Sequence, residues 1–135
     1  QKGLNYAANN YSLGSDLVDQ IRGKPNDASS YPAIDPVNVD FSKYDTVIIG
    51  TPLWWSNMAA PMQTFLFHNG KAIAGKKIGL IVSSASSGIS GVERDAKRLI
   101  PEGKFTKSLW IRSYQVSAAP KMVSEWLKAN DLASK

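Results

Sequence analysis

The chain has 135 residues, and its 43% hydrophobic and 20% charged content is ordinary for one globular domain. It contains no cysteine, which excludes disulfides, thiolate metal sites and a cysteine nucleophile. The formal net charge is +5, but the basic residues are spread along the sequence without the clustering that nucleic-acid binding requires. We expect a single domain over residues 1–135 that binds no nucleic acid.

Targeting signals are not evident in the sequence. No apolar run reaches the length of a membrane span, and the amino-terminal residues lack the basic start, apolar run and cleavage site of a signal peptide. We therefore expect no membrane span and a cytoplasmic location, while a secreted or anchored mature form remains open. The first residue is Gln1, which fits a processed chain or a sequence that begins inside a longer gene product.

The amino-terminal third, residues 1–43, is predicted to be an irregular segment with one short helix. Residues 1–14 are polar and lack a hydrophobic period, which favours a loop. Ser15 is a candidate helix N-cap, and the helix is expected to end at Gly23. Its apolar face would consist of Leu17, Val18 and Ile21. Residues 24–43 contain three prolines and predict an extended connection.

The first predicted strand, residues 45–51, leads into a loop with two adjacent tryptophans. The Val-Ile-Ile run at residues 47–49 is typical of a parallel strand that is covered on both faces. Loops at the carboxyl ends of strands bind ligands in open α/β sheets, so Trp54 and Trp55 could cover a flat conjugated cofactor. They could also close the core, since tryptophan is highly buried on average. The residues alone leave both interpretations open.

The helix after the tryptophan loop has an apolar face with helical spacing. Its members are Met58, Met62, Phe65 and Leu66. Ser56 or Asn57 is the expected N-cap, and the Asn-Gly pair at residues 69–70 is expected to end the helix. His68 is the only histidine and has no carboxylate partner in its motif, so it is a poor catalytic or metal-binding candidate.

Two further strands follow, at residues 76–83 and 107–116, and both are apolar enough to be buried. The helix between them begins near Ile89, and a last helix begins at Pro120, since proline suits a first helical turn. Asp95 is interpreted as part of a solvated face, because its neighbours are charged. This alternation of strands and helices predicts an α/β fold with a parallel, doubly wound sheet.

Two motifs at strand exits resemble those of flavodoxins. The first is Tyr-Asp-Thr-Val-Ile-Ile-Gly-Thr-Pro-Leu-Trp-Trp at residues 44–55, and the second is Ser-Gly-Ile at residues 87–89. The similarity runs from about Val39 to the carboxyl end. It implies a flavodoxin-like sheet between two helical layers, α/β/α, in which residues 45–51 form the third strand. The implied cofactor is FMN.

The resemblance also implies which residues hold the flavin. Residues 51–58 would flank the ring with backbone contacts and an apolar wall, and residues 83–88 would approach its other side. The implied cofactor-binding residues are Thr51, Pro52, Leu53, Trp54, Trp55, Ser56, Asn57, Met58, Ser83, Ser84, Ala85, Ser86, Ser87 and Gly88. No catalytic side chain and no metal ligand is implied, because the flavin carries the redox chemistry.

The function that the resemblance implies is electron transfer or flavin-dependent reduction. The protein would act as an electron carrier or as an FMN-dependent oxidoreductase, with a redox partner protein or a small-molecule acceptor. The alternative is a flavodoxin-fold module that binds no flavin and serves as an interaction or assembly domain.

The sequence departs from the flavodoxin pattern in two places. Family members often have Thr-His-Gly-Gly-Ser-Gly where residues 83–88 read Ser-Ser-Ala-Ser-Ser-Gly. Nothing in residues 1–43 matches the first strand and the Ser-x-Thr-Gly-Asn-Thr loop that cradles the FMN phosphate. Three explanations are open: the amino-terminal part is missing from this sequence, another chain donates a strand, or FMN binding has been lost. Without a first strand, residues 45–51 would present an open edge that could form a homodimer.

Overall fold

A computed structural model describes residues 11–35, 37, 39–85 and 87–132, with the side chains described from residue 15 onward. The loop predicted for residues 1–14 lies outside the described part up to residue 10, and it is wrong at residues 11–14, which begin a helix. The helices and strands are α1 (Tyr11–Gly23), β1 (Thr46–Trp54), β2 (Asn57–Met58), α2 (Ala60–Ile73), β3 (Lys77–Ser84), α3 (Ser90–Leu99), β4 (Lys104–Phe105), β5 (Leu109–Arg112) and α4 (Ala119–Ala129). Three 3-10 turns connect them, at Ala28–Ser30, Phe41–Lys43 and Ser113–Ala118.

The described strands form one mixed, mostly parallel sheet in the order β2-β1-β3-β4, with β5 also paired to β3. β1 and β3 run parallel, from Thr46 beside Lys77 to Pro52 beside Ser83. β2 pairs antiparallel with the end of β1, whereas β4 and β5 pair in parallel with successive parts of β3. The predicted α/β sheet is confirmed, and its topology places the loops after β1 and β3 side by side.

One face of the sheet carries the main hydrophobic core, which α1, α2 and α3 cover. The helices contribute apolar stripes, and β3 contributes Ile78, Leu80 and Val82. Burying one such side chain stabilises a fold by about 1.5–3 kcal/mol relative to leaving it exposed. This face therefore supplies most of the stability of the described part of the chain.

α4 covers only part of the opposite face. Trp126 packs with Leu109 and Ile111 of β5, and a side chain at Gly79 of β3 would collide with the Trp126 ring. Over β1 this face is open, and Ile48 is 44% exposed. The prediction that both faces of β1 are covered is therefore wrong for the described residues, because no described helix packs over Ile48.

The outer edge of β1, residues 46–52, has no strand partner within the described part of the chain. β2 pairs only with Leu53 and Trp54, beyond this stretch. The backbone N–H and C=O groups that point outward from such an edge can pair with another strand.

Two predicted helix starts differ from the structure. Ser15 is not an N-cap, because α1 already spans it. The burial of the apolar stripe of α1 outweighs the small cost of a serine inside a helix. α2 begins at Ala60 after an N-cap, Ala59, that makes no side-chain hydrogen bond. The predicted capping residues, Ser56 and Asn57, belong instead to the hairpin that β1 and β2 form.

Two predicted ends also differ. α2 continues through residues 69–70 to Ile73, because the Ile73 side chain is fully buried in the core. The last long strand ends at Arg112 rather than at residue 116. Gln115 Oε1 accepts a hydrogen bond from the backbone N–H of Arg112 at 3.1 Å, which turns the chain into a 3-10 helix.

Candidate functional site

The tryptophan loop is a two-residue hairpin turn. β2 folds back on the end of β1 so that Trp54 lies opposite Asn57. The two residues between them, Trp55 and Ser56, have φ angles of 51° and 66°. Positive φ at both central positions suits the twist of a hairpin, and Asn-Gly adopts it at little cost. Other residues pay roughly 1 kcal/mol or more each, so neighbouring contacts must hold this turn.

Asp95 of α3 fixes the strand that returns from the turn. Its Oδ2 accepts hydrogen bonds from the backbone N–H of Met58 and from Asn57 Nδ2, each at 3.0 Å. Its Oδ1 lies 3.6 Å from a guanidinium nitrogen of Arg98. Asp95 is only 7% exposed, so the prediction of a solvated face is wrong at this residue. The Asp95 carboxylate is buried because it accepts hydrogen bonds from two buried donors, the Met58 N–H and Asn57 Nδ2.

The turn also packs against the start of α3. A Cβ added at Gly91 would overlap the carbonyl oxygen of Ser56, so only glycine allows this approach. α3 begins at Ser90, and its N-cap Ile89 makes no side-chain hydrogen bond. The first N–H groups of α3, with the positive end of its dipole, are therefore left without a side-chain cap beside the turn.

The two tryptophans lie in different environments. Trp54 is half-buried and packs against the main core. Trp55, at the turn itself, is 44% exposed. The two tryptophans therefore differ: Trp54 packs against the core, whereas Trp55 remains partly exposed at the turn.

The second predicted binding run follows β3 and lies beside the turn. Ser83 is the strand neighbour of Pro52. Ser84 Oγ accepts a hydrogen bond from Trp110 Nε1 at 2.8 Å and donates one to the carbonyl oxygen of Ser87 at 2.9 Å. The loop is thereby anchored to β5, and its exposed backbone is held next to the turn.

Most of the predicted site residues come together at one place, which we call the carboxyl edge (residues 52–56 and 83–88). Those exposed or half-buried there are Pro52, Leu53, Trp54, Trp55, Ser56, Ser83, Ser84, Ala85, Ser87 and Gly88. Thr51, Asn57 and Met58 are buried below the turn, and the last two bind Asp95. Ser86 lies outside the described residues.

Sequence reasoning missed an aromatic and cationic cluster at the end of β5. The guanidinium carbon of Arg112 lies 4.6 Å from the Trp110 ring centroid and 5.0 Å from that of Tyr114. Tyr114 is 69% exposed rather than packed. The signal was present, because an alternating Trp-x-Arg-x-Tyr at a strand exit predicts a cation between two rings. The Ser113 N–H and hydroxyl reach the carbonyl of Ala85 at 3.3 and 3.1 Å, so this cluster adjoins the carboxyl edge.

The chemistry of the carboxyl edge suits a planar aromatic ring with a polar rim. Trp55 supplies an exposed aromatic surface, and Pro52 and Leu53 supply apolar contacts. Hydroxyls and backbone groups of residues 83–85, 87 and 88 offer hydrogen-bonding partners beside it. A flavin ring has this combination of an apolar face and hydrogen-bonding edge atoms, so the residues fit it.

Other kinds of site are not supported in the described residues. They contain no cluster of three or more His, Asp or Glu side chains that could hold a metal ion. None of their helices has the length and apolar character that crossing a membrane requires. Cavities of about 540 and 480 Å³ lie beside α2 and α3, and Asn57 of the tryptophan hairpin lines the smaller one.

Comparison with known proteins gives a consistent result. The family model described as Flavodoxin matches residues 20–130. Among solved structures, the flavoprotein from Lactobacillus acidophilus NCFM in complex with FMN is 20% identical, with a TM-score of 0.63 over 87% of this chain and 74% of that one. A candidate flavoprotein from Bacteroides eggerthii DSM 20697 is 21% identical, with a TM-score of 0.68 over 97% and 78%. One from Bacteroides uniformis ATCC 8492 is 26% identical, with a TM-score of 0.61 over 84% and 69%. No curated protein matches the chain in sequence.

Proposed function

Because this chain belongs to the flavodoxin family, we propose that it binds FMN at the carboxyl edge and serves in electron transfer or flavin-dependent reduction. The observation that carries the proposal is the exposed Trp55, held in a strained turn beside residues 83–88. Strain in a backbone persists where the surroundings hold it, and it concentrates at ligand sites. A similar fold has been solved with FMN in the Lactobacillus acidophilus protein.

The residues of the carboxyl edge would bind and orient the flavin. Trp55 would cover a ring face, Pro52 and Leu53 would exclude water from its apolar part, and residues 83–88 would give hydrogen bonds to its polar rim. The uncapped start of α3 favours negative charge nearby. When bound, FMN supplies the redox chemistry, while the protein sets its environment.

The electron donor or acceptor would be a redox partner protein or a small molecule. The net charge of +5 favours an anionic partner, because a diffuse positive field raises the rate of encounter with negative molecules. This attraction weakens with salt, so the reaction rate with an anionic acceptor should fall as ionic strength rises.

A titration of FMN with the protein, followed by quenching of flavin fluorescence, tests the proposal. We expect one-to-one quenching, and we expect Trp55→Ala to raise Kd about fivefold, which corresponds to an aromatic contact of about 1 kcal/mol. Tyr44→Ala is the matched control, because Tyr44 is also an exposed aromatic but lies before β1. Absence of quenching, or an equal effect of both substitutions, would overturn the proposal.

The outer edge of β1 supports a second candidate, an interaction module that pairs with a second copy of the chain. Two such edges would exchange backbone hydrogen bonds and bury Ile48, which is otherwise exposed. Sedimentation should show dimers that Ile48→Lys disrupts, since a lysine on an edge strand opposes pairing. Val116→Lys, at an exposed site beyond β5, should leave them intact. A monomer at high concentration would rule this candidate out.

A further inference from the structure

A cavity of about 480 Å³ lies between α1, α3 and the start of α2. We call it the arginine cavity, because Arg22, Arg94 and Arg98 all line it. Asp95 is the only carboxylate in its described wall. The other lining residues are Val18, Ile21, Pro25, Asn57 and Gln63. Three guanidinium groups therefore share one carboxylate, and the wall carries excess positive charge.

The Asp95 carboxylate already has partners on both oxygens. Asp95 Oδ2 accepts from the Met58 N–H and from Asn57, and Oδ1 meets Arg98 at 3.6 Å. Arg22 also lies 3.4 Å from Asp19, but both side chains are more than half exposed, so this ion pair compensates little of the charge. Among the described residues, neighbouring acids thus do not neutralise the excess charge of the wall.

The hydrogen bonds of two arginines go to neutral acceptors. Arg22 Nη2 donates to Asn57 Oδ1. Arg98 donates to Tyr31 Oη at 2.9 Å and to Gln63 Oε1 at 2.7 Å. These bonds hold both side chains in place without removing their charge. Such fixed donors lose little conformational entropy when an anion arrives.

Arg94 differs from the other two arginines. It has no hydrogen bond or ion pair among the described residues, although it lines the same cavity. One of its guanidinium nitrogens lies 3.6 Å from the position of a Cβ at Gly91, the residue that touches Ser56. Within the described part of the chain, the Arg94 guanidinium is therefore unpaired, and it lies between the arginine cavity and the tryptophan turn.

We propose that the arginine cavity binds a phosphate monoester group. A guanidinium presents paired N–H donors that match phosphate oxygens, and phosphate carries enough negative charge to offset the excess of the wall. The phosphate belongs either to FMN itself or to a separate phosphorylated molecule. The cavity meets the turn at Arg94 and Asn57, so an occupant there would also stabilise the carboxyl edge.

Calorimetric titration with inorganic phosphate at low ionic strength tests the cavity directly. We expect saturable one-to-one binding, and we expect Arg94→Gln to weaken it about tenfold through loss of a charged hydrogen bond. Arg94→Lys should keep part of the affinity. Lys97→Gln removes one positive charge from the same helix at an exposed residue that does not line the cavity, and it should change the affinity for phosphate little. Thermal unfolding of each variant without phosphate checks that the fold is retained.

Competition with flavins then identifies the source of the phosphate. Retained phosphate binding at saturating FMN would assign the cavity to a separate phosphorylated ligand. Displacement by FMN but not by riboflavin would assign it to the FMN phosphate, and either result supports the proposal. Absence of saturable phosphate binding, equal losses in Arg94→Gln and Lys97→Gln, or displacement by riboflavin would overturn it. Flavin fluorescence is read separately, so failure of FMN binding is not confused with failure of phosphate binding.

Discussion

The two faces of β1 meet different surroundings at adjacent residues. Ile49 is 4% exposed and packs in the core beneath α1, α2 and α3, whereas Ile48 is 44% exposed on the other face. On the described residues, burial is concentrated on one side of the sheet. The closed face therefore provides most of the stabilising burial, whereas the other face leaves Ile48 of β1 exposed.

The two regions are linked at the tryptophan turn. Asp95 and Gly91 both belong to α3 on the closed face, yet their contacts fix Met58, Asn57 and Ser56 at the carboxyl edge. The rigid face therefore holds the strained turn in position. Changes on either side should have separable effects on stability and on binding.

The largest effect should come from comparing Ile49→Ala with Ile48→Ala. Removing the buried side chain should lower the free energy of unfolding by about 2–5 kcal/mol, because it leaves a cavity. Removing the exposed side chain of Ile48 should lower the free energy of unfolding by less than about 1 kcal/mol. Urea denaturation of both variants measures the difference. Similar losses would mean that the two faces are not as different as their burial indicates.

Gly91→Ala should disrupt the contact between α3, on the closed face, and the tryptophan turn at the carboxyl edge. The added methyl group would collide with the Ser56 carbonyl, and relieving the overlap should cost about 1–3 kcal/mol in unfolding free energy. It should also weaken FMN binding by displacing Trp55. Thermal unfolding and the FMN titration measure the two effects, with Ser90→Ala as the control on the same helical turn. If Gly91→Ala left both the unfolding temperature and the affinity for FMN unchanged, the close approach of Gly91 to the Ser56 carbonyl would be contradicted.

Ser56→Gly should have a smaller effect of the opposite sign. Glycine adopts a φ of 66° without strain, so the unfolding free energy should rise by up to about 1 kcal/mol. At a position with negative φ the same change would lower it, since glycine adds entropy to the unfolded chain. The sign of the change in the urea midpoint therefore tests the turn conformation.

The smallest expected effect is the loss of stability at acidic pH through the carboxyl group of Asp40. The Ser42 hydroxyl and then the Ser42 N–H hydrogen-bond to Asp40 and hold the pKa of that carboxyl below its usual value. The hydrogen bonds to the Asp40 carboxylate contribute to folding stability at pH values above the ordinary aspartate pKa. This contribution is lost as the pH falls through the lowered pKa of Asp40 in the folded protein. Carboxyl NMR titration of Ser42→Ala should show the pKa of Asp40 rising. The pKa of Asp27, which Ser29 lowers in the same way, should stay unchanged.

The main strands and helices could be predicted because their residues carry strong periodic signals. The β-branched run of β1 and the apolar stripes of α2 and α3 each specify one element. β2 and β4 were missed, since two residues are too few to show a period. The hairpin was missed because Trp55 and Ser56 are not residues that usually signal such a turn.

Asp95 shows where local pattern reasoning failed. Its charged neighbours suggested a solvated face, but it stands three residues after Val92 and four before Leu99, on the apolar stripe of α3. A carboxylate on that stripe indicates a buried partner, which here is the returning strand at Met58. The resemblance pointed to the two loops of the carboxyl edge, whereas the different burial of Trp54 and Trp55 could be seen only in the fold.

The most direct test of the central claim is the ¹H–¹⁵N NMR spectrum of the protein during titration with FMN. We predict that shifts concentrate at the carboxyl edge, in residues 52–56 and 83–88, while the amides of Leu66 and Ile73 in the closed face stay in place. Shifts confined to the outer edge of β1, or none at saturating FMN, would contradict the assignment of the carboxyl edge as the flavin site.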